Sequence, residues 1–159
     1  MKLFEIVKEK EIVLVCGKLS SGKGQYIREN YPEYDHVGVS SIVKKLSGFD
    51  KRSDLSTTAN LDSAIVQMLI KTIDESDDKV VVDGIRQPSI LYMLKNHYGS
   101  RIKDIIWLDV PENARRERFA KREASKDDQS FEKAMKGDSA LGIDDVETYI
   151  RGHHRVVPY

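Results

Sequence analysis

The sequence has little of three features that assign a protein to a specialised class: cysteine, long apolar runs and net charge. Its single cysteine, Cys16, excludes a fold held by internal disulfides and favours a reducing compartment, the cytoplasm. The longest apolar runs hold about five residues, whereas a membrane-spanning helix needs about 20, so we expect no membrane segment. Lys and Arg together number 26, as do Asp and Glu, so net charge gives no sign of a nucleic-acid partner and any basic surface must be local.

The composition is otherwise that of an ordinary globular protein. Hydrophobic residues make up 40% and charged residues 33% of the 159 residues, which suits one buried core. No internal repeat, signal peptide or linker is visible. We therefore expect residues 1–159 to form a single domain, of unknown oligomeric state.

Short runs rich in β-branched residues alternate with segments of helical spacing. The predicted strands cover residues 11–16, 36–39, 79–83, 103–110 and 154–157. The predicted helices cover residues 25–30, 40–46, 61–75, 112–122 and 144–151, and one more starts at Pro88. This alternation predicts a three-layer α/β/α fold around a parallel sheet of about five strands. The polar stretches 47–60 and 123–142 lack periodicity, and we expect the second to form a short mobile lid at about 123–143.

Gly17, Gly22 and Lys23 form the pattern Gly-x-x-x-x-Gly-Lys between the first predicted strand and the first predicted helix. Glycines let backbone N–H groups converge on one anion, and the helix N-terminus adds partial positive charge. The lysine reaches the β- and γ-phosphates of a nucleotide. The pattern therefore predicts a P-loop (Walker A) that binds ATP, although a turn that merely contains a lysine is the alternative. The predicted ATP-binding residues are Gly17, Lys18, Leu19, Ser20, Ser21, Gly22, Lys23, Gly24 and Gln25.

Gly24 follows Lys23, where many P-loops carry the Ser or Thr that binds Mg²⁺. Ser20 or Ser21 could replace that hydroxyl, or phosphates and water could hold the metal. The missing hydroxyl argues against a switch GTPase and leaves a kinase open.

Gly22-Lys23-Gly24 resembles the P-loop of adenylate kinases and their nucleoside monophosphate kinase relatives, although Gln25 stands where they usually have threonine. The resemblance extends to three further blocks at residues 82–86, 110–122 and 144–151. It implies a P-loop kinase that uses ATP and Mg²⁺. The catalytic residues it implies are Lys23, Asp83, Arg118 and Arg122.

The residues of these blocks suit that chemistry. Asp83 ends a buried strand, where a carboxylate can hold Mg²⁺ through water or accept a proton, or simply cap the next helix. Arg118 and Arg122 are four residues apart, so they share a helix face and can clamp phosphates or form a solvated basic face. Arg86 and Arg151 are candidates for binding the acceptor, with surface arginines as the alternative.

The acceptor is expected to bind within residues 40–75. Further candidates for this role are Asp35, Lys44 and Arg52. The blocks at residues 17–24, 82–87 and 107–111 look most like small bacteriophage kinases, which implies a location in the host cytoplasm and two possible acceptors. We favour the hydroxymethyl group of 5-hydroxymethyluridine in DNA, with Asp83 or Asp35 as base, over a deoxynucleoside monophosphate.

A DNA acceptor needs a local basic surface despite the zero net charge. The residues that could form it are Lys44, Lys45, Lys51 and Arg52. A P-loop ATPase or GTPase switch and a non-catalytic nucleotide-binding module are less favoured, because the first needs a hydroxyl after Lys23 and the second would lack Asp83.

The histidines and Cys16 carry no predicted chemistry. His97, His153 and His154 lack partners at metal-ligand spacing, so we expect no structural zinc. His36 is expected to have a structural role, and Cys16 to be a small core residue.

Overall fold

The structure is a computed structural model that describes residues 10–47, 62–123 and 130–159. Lys51 and Arg52, with most of the polar stretch at 47–60, lie outside the described residues, as do residues 124–129 of the expected lid. None of the described helices is long and apolar enough to cross a membrane.

Five parallel strands form one sheet in the order β2-β3-β1-β4-β5. The strands are β1 (Glu11–Gly17), β2 (Asp35–Gly38), β3 (Lys79–Asp83), β4 (Ile102–Asp109) and β5 (Arg155–Pro158). Seven α-helices lie in the described part of the chain: α1 (Lys23–Asn30), α2 (Val39–Ser47), α3 (Asp62–Glu75), α4 (Pro88–Tyr98), α5 (Glu112–Glu123), α6 (Phe131–Leu141) and α7 (Ile143–His153). The predicted α/β fold with a parallel five-stranded sheet is confirmed.

The central strand β1 is buried on both faces because alternate residues enter two separate cores. Ile12 and Leu14 pack in the core that α2, α3, α4 and α7 cover. Val13 and Val15 pack on the other face, against α1. This double burial fixes the end of β1 and the start of α1, between which the glycine-rich loop lies.

A third cluster joins the loop to α5 and α6. Leu19 of the loop is buried with Phe119, Phe131 and Ala134. Burying one large apolar side chain contributes about 1.5–3 kcal/mol, so this small cluster is sufficient to hold the loop against both helices.

The sequence reading of residues 123–142 as irregular was wrong for residues 131–141, which form α6. The Ser130 side chain accepts a hydrogen bond from the Lys133 backbone N–H at 3.1 Å and caps the helix. The buried face of α6 consists of Phe131, Ala134, Asp138 and Leu141. This buried stripe is narrow and includes a charged residue, Asp138. The sequence of residues 131–141 therefore lacks a clear helical period of apolar residues.

Gly142 links α6 to α7 at a φ of +111°, a conformation that costs residues with a side chain about 1–2 kcal/mol. A Cβ at this position would lie 2.6 Å from Pro88 Cδ, at the start of α4. We therefore expect Gly142→Ala to lower the free energy of unfolding by about 2–4 kcal/mol in urea titrations.

Gly152→Ala is the matched control, because Gly152 lies within α7 and a Cβ there meets nothing within 4 Å. It should raise the free energy of unfolding by up to ~1 kcal/mol. Equal stabilities for the two variants would contradict the packing described for Gly142.

Candidate active site

A cleft of about 250 Å³ opens at the carboxyl ends of β1 and β3. The structure brings together there four side chains that the sequence singled out: Lys23, Asp83, Arg86 and Arg122. The cleft is also lined by Gly17, Leu19, Ser20, Ser21, Gly22, Gly24, Ser40, Gly84 and Asp138. Ser40 and Asp138 were not among the predicted site residues.

The glycine-rich loop keeps two polar atoms without partners. The Oγ atoms of Ser20 and Ser21 are buried and have no hydrogen-bond partner in the described part of the chain. Buried hydroxyls without partners are unusual in proteins. Ser20 also has a φ of +60°, which is uncommon for a residue with a side chain. Strain and unsatisfied donors next to a helix N-terminus fit a site for the phosphates of a nucleotide.

The loop fits closely around its own lysine and the arginine behind it. Gly22 has a φ of +85°, and a Cβ there would lie 2.9 Å from Arg118 Nη1. The Lys23 Nζ donates to the Gly17 carbonyl at 3.4 Å. The Lys23 side chain thus lies across the loop, and its role in binding a γ-phosphate stays a prediction.

Asp83 ends β3 beside this lysine. The next residue, Gly84, has a φ of +92° and lies close to Lys23 Cε, which a Cβ on Gly84 would approach to 3.9 Å. The Asp83 Oδ2 and the His36 Nε2 are 2.8 Å apart. That hydrogen bond to Asp83 raises the pKa of His36, against the opposing effect of partial burial. His36 therefore fixes the orientation of the Asp83 carboxylate. The sequence did not reveal this contact because the two residues are distant in the chain.

Arg86 is paired with an acid in the cleft. Its Nη1 donates to Asp138 Oδ1 at 2.7 Å, and the two side chains are only 11% and 6% exposed. Asp138 was missed because it lies in α6, within the stretch expected to be irregular.

Arg118 and Arg122 share α5 but have different surroundings. Arg122 lines the cleft. Arg118 lies outside the cleft lining, where its Nη1 donates to the Ser21 carbonyl at 2.9 Å and its guanidinium is 5.9 Å from the Tyr159 ring centre. Arg118 therefore binds the backbone of the loop on the side away from the cleft. That Arg118 and Arg122 together bind phosphates stays a prediction.

Arg115 is a second arginine of α5 that holds the loop, and it was not among the predicted site residues. It is 5% exposed and donates to the carbonyls of Leu19 and Val110 at 3.3 and 3.2 Å. Burial lowers the pKa of its guanidinium, yet an arginine stays charged at any physiological pH. Its helical spacing from Phe119 was the one available signal that it faces inward.

The other predicted acceptor residues lie away from the cleft lining. Arg151 binds Glu147 and Asp109 at 2.7 and 2.8 Å on the outer side of α7. Lys44 is exposed on α2. Asp35 is at the amino end of β2, where its Oδ2 accepts the Asp77 N–H at 2.8 Å.

Lys18, predicted to bind ATP, also lies outside the cleft lining, with Nζ 3.4 Å from Glu147 Oε1 and 3.7 Å from Asp144 Oδ1. These contacts join the loop to α7. Cys16, just before the loop, is buried as expected, and burial raises the pKa of its thiol to about 12. It therefore stays a protonated core thiol. In the described part of the chain, no group of three or more His, Cys, Asp or Glu is placed to hold a metal.

No family model matches the chain, and no curated protein matches it in sequence. Solved structures match its fold. TT1252 from Thermus thermophilus has a TM-score of 0.60 at 14% identity, over 96% of this chain and 90% of that one.

Two shikimate kinases match equally well. The enzyme from Bacteroides thetaiotaomicron has a TM-score of 0.60 at 13% identity, over 93% of this chain and 86% of that one. The enzyme from Acinetobacter baumannii, solved with shikimate, has a TM-score of 0.60 at 12% identity, over 94% and 84%. At these identities the likeness shows the fold alone, and the kinase activity of the two neighbours is not carried over by it.

The bond between His36 and Asp83 predicts a pH effect. Folding raises the pKa of His36 above its ordinary value of about 6.5. The contribution of protonated His36 to the free energy of unfolding is therefore complete below about pH 6.5, and it is lost as the pH rises through the higher pKa of the folded state. We expect the imidazole of His36 to titrate above 6.5 by NMR, and Asp83→Asn to lower that midpoint.

His154 is the internal control, because burial lowers its pKa and it has no contact with Asp83. Asp83→Asn should leave its titration unchanged. If the His36 midpoint does not move in that variant, Asp83 is not its partner in solution.

Proposed function

We propose that the protein is an ATP-dependent phosphotransferase that moves the γ-phosphate of ATP to a hydroxyl group. One observation supports this most: Lys23, Asp83 and Arg122 line one cleft together with the unsatisfied Ser20 and Ser21 hydroxyls. The shared fold with two shikimate kinases supports a kinase in general.

The donor half of the cleft is built for phosphates. Backbone N–H groups of residues 17–23 and the N-terminus of α1 would bind the β-phosphate, and Lys23 would offset charge as the γ-phosphoryl group leaves. Arg122, at the cleft wall, would neutralise the equatorial oxygens. Mg²⁺, when bound, would supply further charge neutralisation, with Asp83 as the side chain placed to hold it through water.

The acceptor half of the proposed reaction needs a group that takes a proton. The bond between the γ-phosphorus and the bridging oxygen of ADP breaks while the acceptor oxygen bonds to phosphorus. The hydroxyl proton passes to the Asp83 carboxylate, which His36 holds in place at 2.8 Å. Asp83 thus serves the acceptor, the metal or both.

We favour the hydroxymethyl group of 5-hydroxymethyluridine in DNA as the acceptor. Lys44 and Lys45 are exposed at the end of α2, which belongs to the predicted acceptor segment, and they suit a nucleic-acid backbone. The alternative is a deoxynucleoside monophosphate, for which Arg86 in the cleft is the favouring observation.

Transfer of labelled γ-phosphate from ATP tests this proposal. The acceptors are mononucleotides, ordinary DNA and DNA that contains 5-hydroxymethyluracil, and we expect label on the last. Label on mononucleotides alone would reject the DNA acceptor and support the alternative. ATP turnover that needs no acceptor would instead indicate a motor or switch ATPase.

Lys23→Ala should reduce transfer by about 10²-fold or more, because the transition state loses its nearest cation. Lys71→Ala removes the same side chain from an exposed position of α3 and should retain full transfer. Both variants should show the far-ultraviolet circular dichroism of the wild type. Undiminished transfer by the Lys23 variant would refute the assignment of the P-loop.

A further inference from the structure

We infer that Asp138 determines acceptor specificity: by pairing with Arg86 it makes the cleft accept a neutral hydroxyl as the group that receives the phosphoryl and disfavour a phosphate group in that place. This inference rests on the proposed kinase function and deepens it.

The pair lines the cleft next to Asp83, the proposed base. Arg86 follows β3 by three residues, and Asp83, Arg86 and Asp138 all line the same space. The Nη1–Oδ1 distance of 2.7 Å is that of a strong charge-assisted hydrogen bond. Both side chains are nearly excluded from water, so screening by solvent is weak and each charge cancels most of the other's field.

The charges that line the cleft leave little net positive charge to attract a second phosphate. Among the described residues they comprise three cations, Lys23, Arg86 and Arg122, and two acids, Asp83 and Asp138. Bound ATP already places several negative charges there. An acceptor phosphate would bring a further dianion next to the Asp138 carboxylate, and like charges at close range exclude a ligand effectively. A hydroxyl brings no charge and is not penalised.

Asp138 is held firmly in this position. It lies on the buried face of α6, between Ala134 and Leu141, and is itself buried. The helix is capped by Ser130 at its start and fixed by Gly142 against Pro88 at its end. The carboxylate is therefore part of the packed scaffold, and turning it away from Arg86 would bury an uncompensated charge.

A purely structural pair would behave differently. If Asp138 only stabilised the fold, replacing it would lower activity towards every acceptor to the same degree. If it selects the acceptor, Asp138→Asn should increase transfer to phosphate groups. The charge of Arg86 is then no longer cancelled by a carboxylate, while the amide keeps the shape of the side chain.

The test measures kcat/KM for deoxynucleoside monophosphates and for DNA that contains 5-hydroxymethyluracil. We expect Asp138→Asn to raise kcat/KM for the monophosphates about tenfold or more relative to the DNA acceptor. The double variant Asp138→Asn with Arg86→Gln should lose this gain, because the gain requires the arginine. Asp145→Asn, an equal charge change on the exposed face of α7, should show none.

Calorimetric binding of a deoxynucleoside monophosphate provides a readout that does not depend on transfer. Tighter binding to Asp138→Asn than to the wild type and to Asp145→Asn supports the inference. Equal binding to all three proteins overturns it, and so does efficient use of monophosphates by the wild type. If no acceptor receives phosphate in a Lys23-dependent reaction, the proposed function itself is refuted. Equal binding, or efficient use of monophosphates by the wild type, leaves the proposed kinase in place with its specificity determined by other residues.

Discussion

A phosphate-binding loop must hold several backbone N–H dipoles pointed at one spot, although their partial charges repel one another. In this chain, side chains outside the loop at residues 17–23, for which we propose this role, help to hold its backbone. Arg118 binds the carbonyl of Ser21 and Arg115 binds that of Leu19, so both arginines fix the backbone of the loop. Hydrogen bonds from charged donors contribute about 1.5–3 kcal/mol each, so the two together exceed the cost of about 1–2 kcal/mol for one strained residue such as Ser20. The conformation of the loop therefore depends on α5 as much as on its glycines.

The acids of the cleft follow a related rule, since each is held by a cationic or hydrogen-bonding partner from another element. Asp83 is bound by His36 of β2, and Asp138 is bound by Arg86. A carboxylate next to the proposed phosphate site would otherwise repel a phosphate ligand. Partners behind the acids keep their oxygens in fixed directions, which a base or a metal ligand requires and an exposed side chain cannot provide.

The parts of the site that could be predicted are those coded locally. The loop was found because its spacing is fixed within seven residues, and Asp83 because a short β-branched run ends there before a glycine. The pair of Arg86 and Asp138 joins residues 52 apart in sequence, and no local pattern reports such a contact. Helical spacing placed Arg118 and Arg122 on one face, but it could not tell that one lies behind the loop and the other in the cleft.

Contacts between residues distant in sequence also explain why a resemblance to a family can identify a site residue correctly and still not determine its role. Likeness to monophosphate kinases singled out Arg86 as an acceptor residue, and it does line the cleft. A shared motif predicts which residue type stands at position 86. The electrostatic field at Arg86, however, depends on Asp138, which the motif does not include. Bonding through Nη1 neutralises the charge of Arg86, but a guanidinium has five N–H donors, so this pair does not exhaust them. An arginine whose charge is cancelled by a paired carboxylate still has N–H groups to donate to a hydroxyl oxygen, and the neutral acceptor that we propose requires that property.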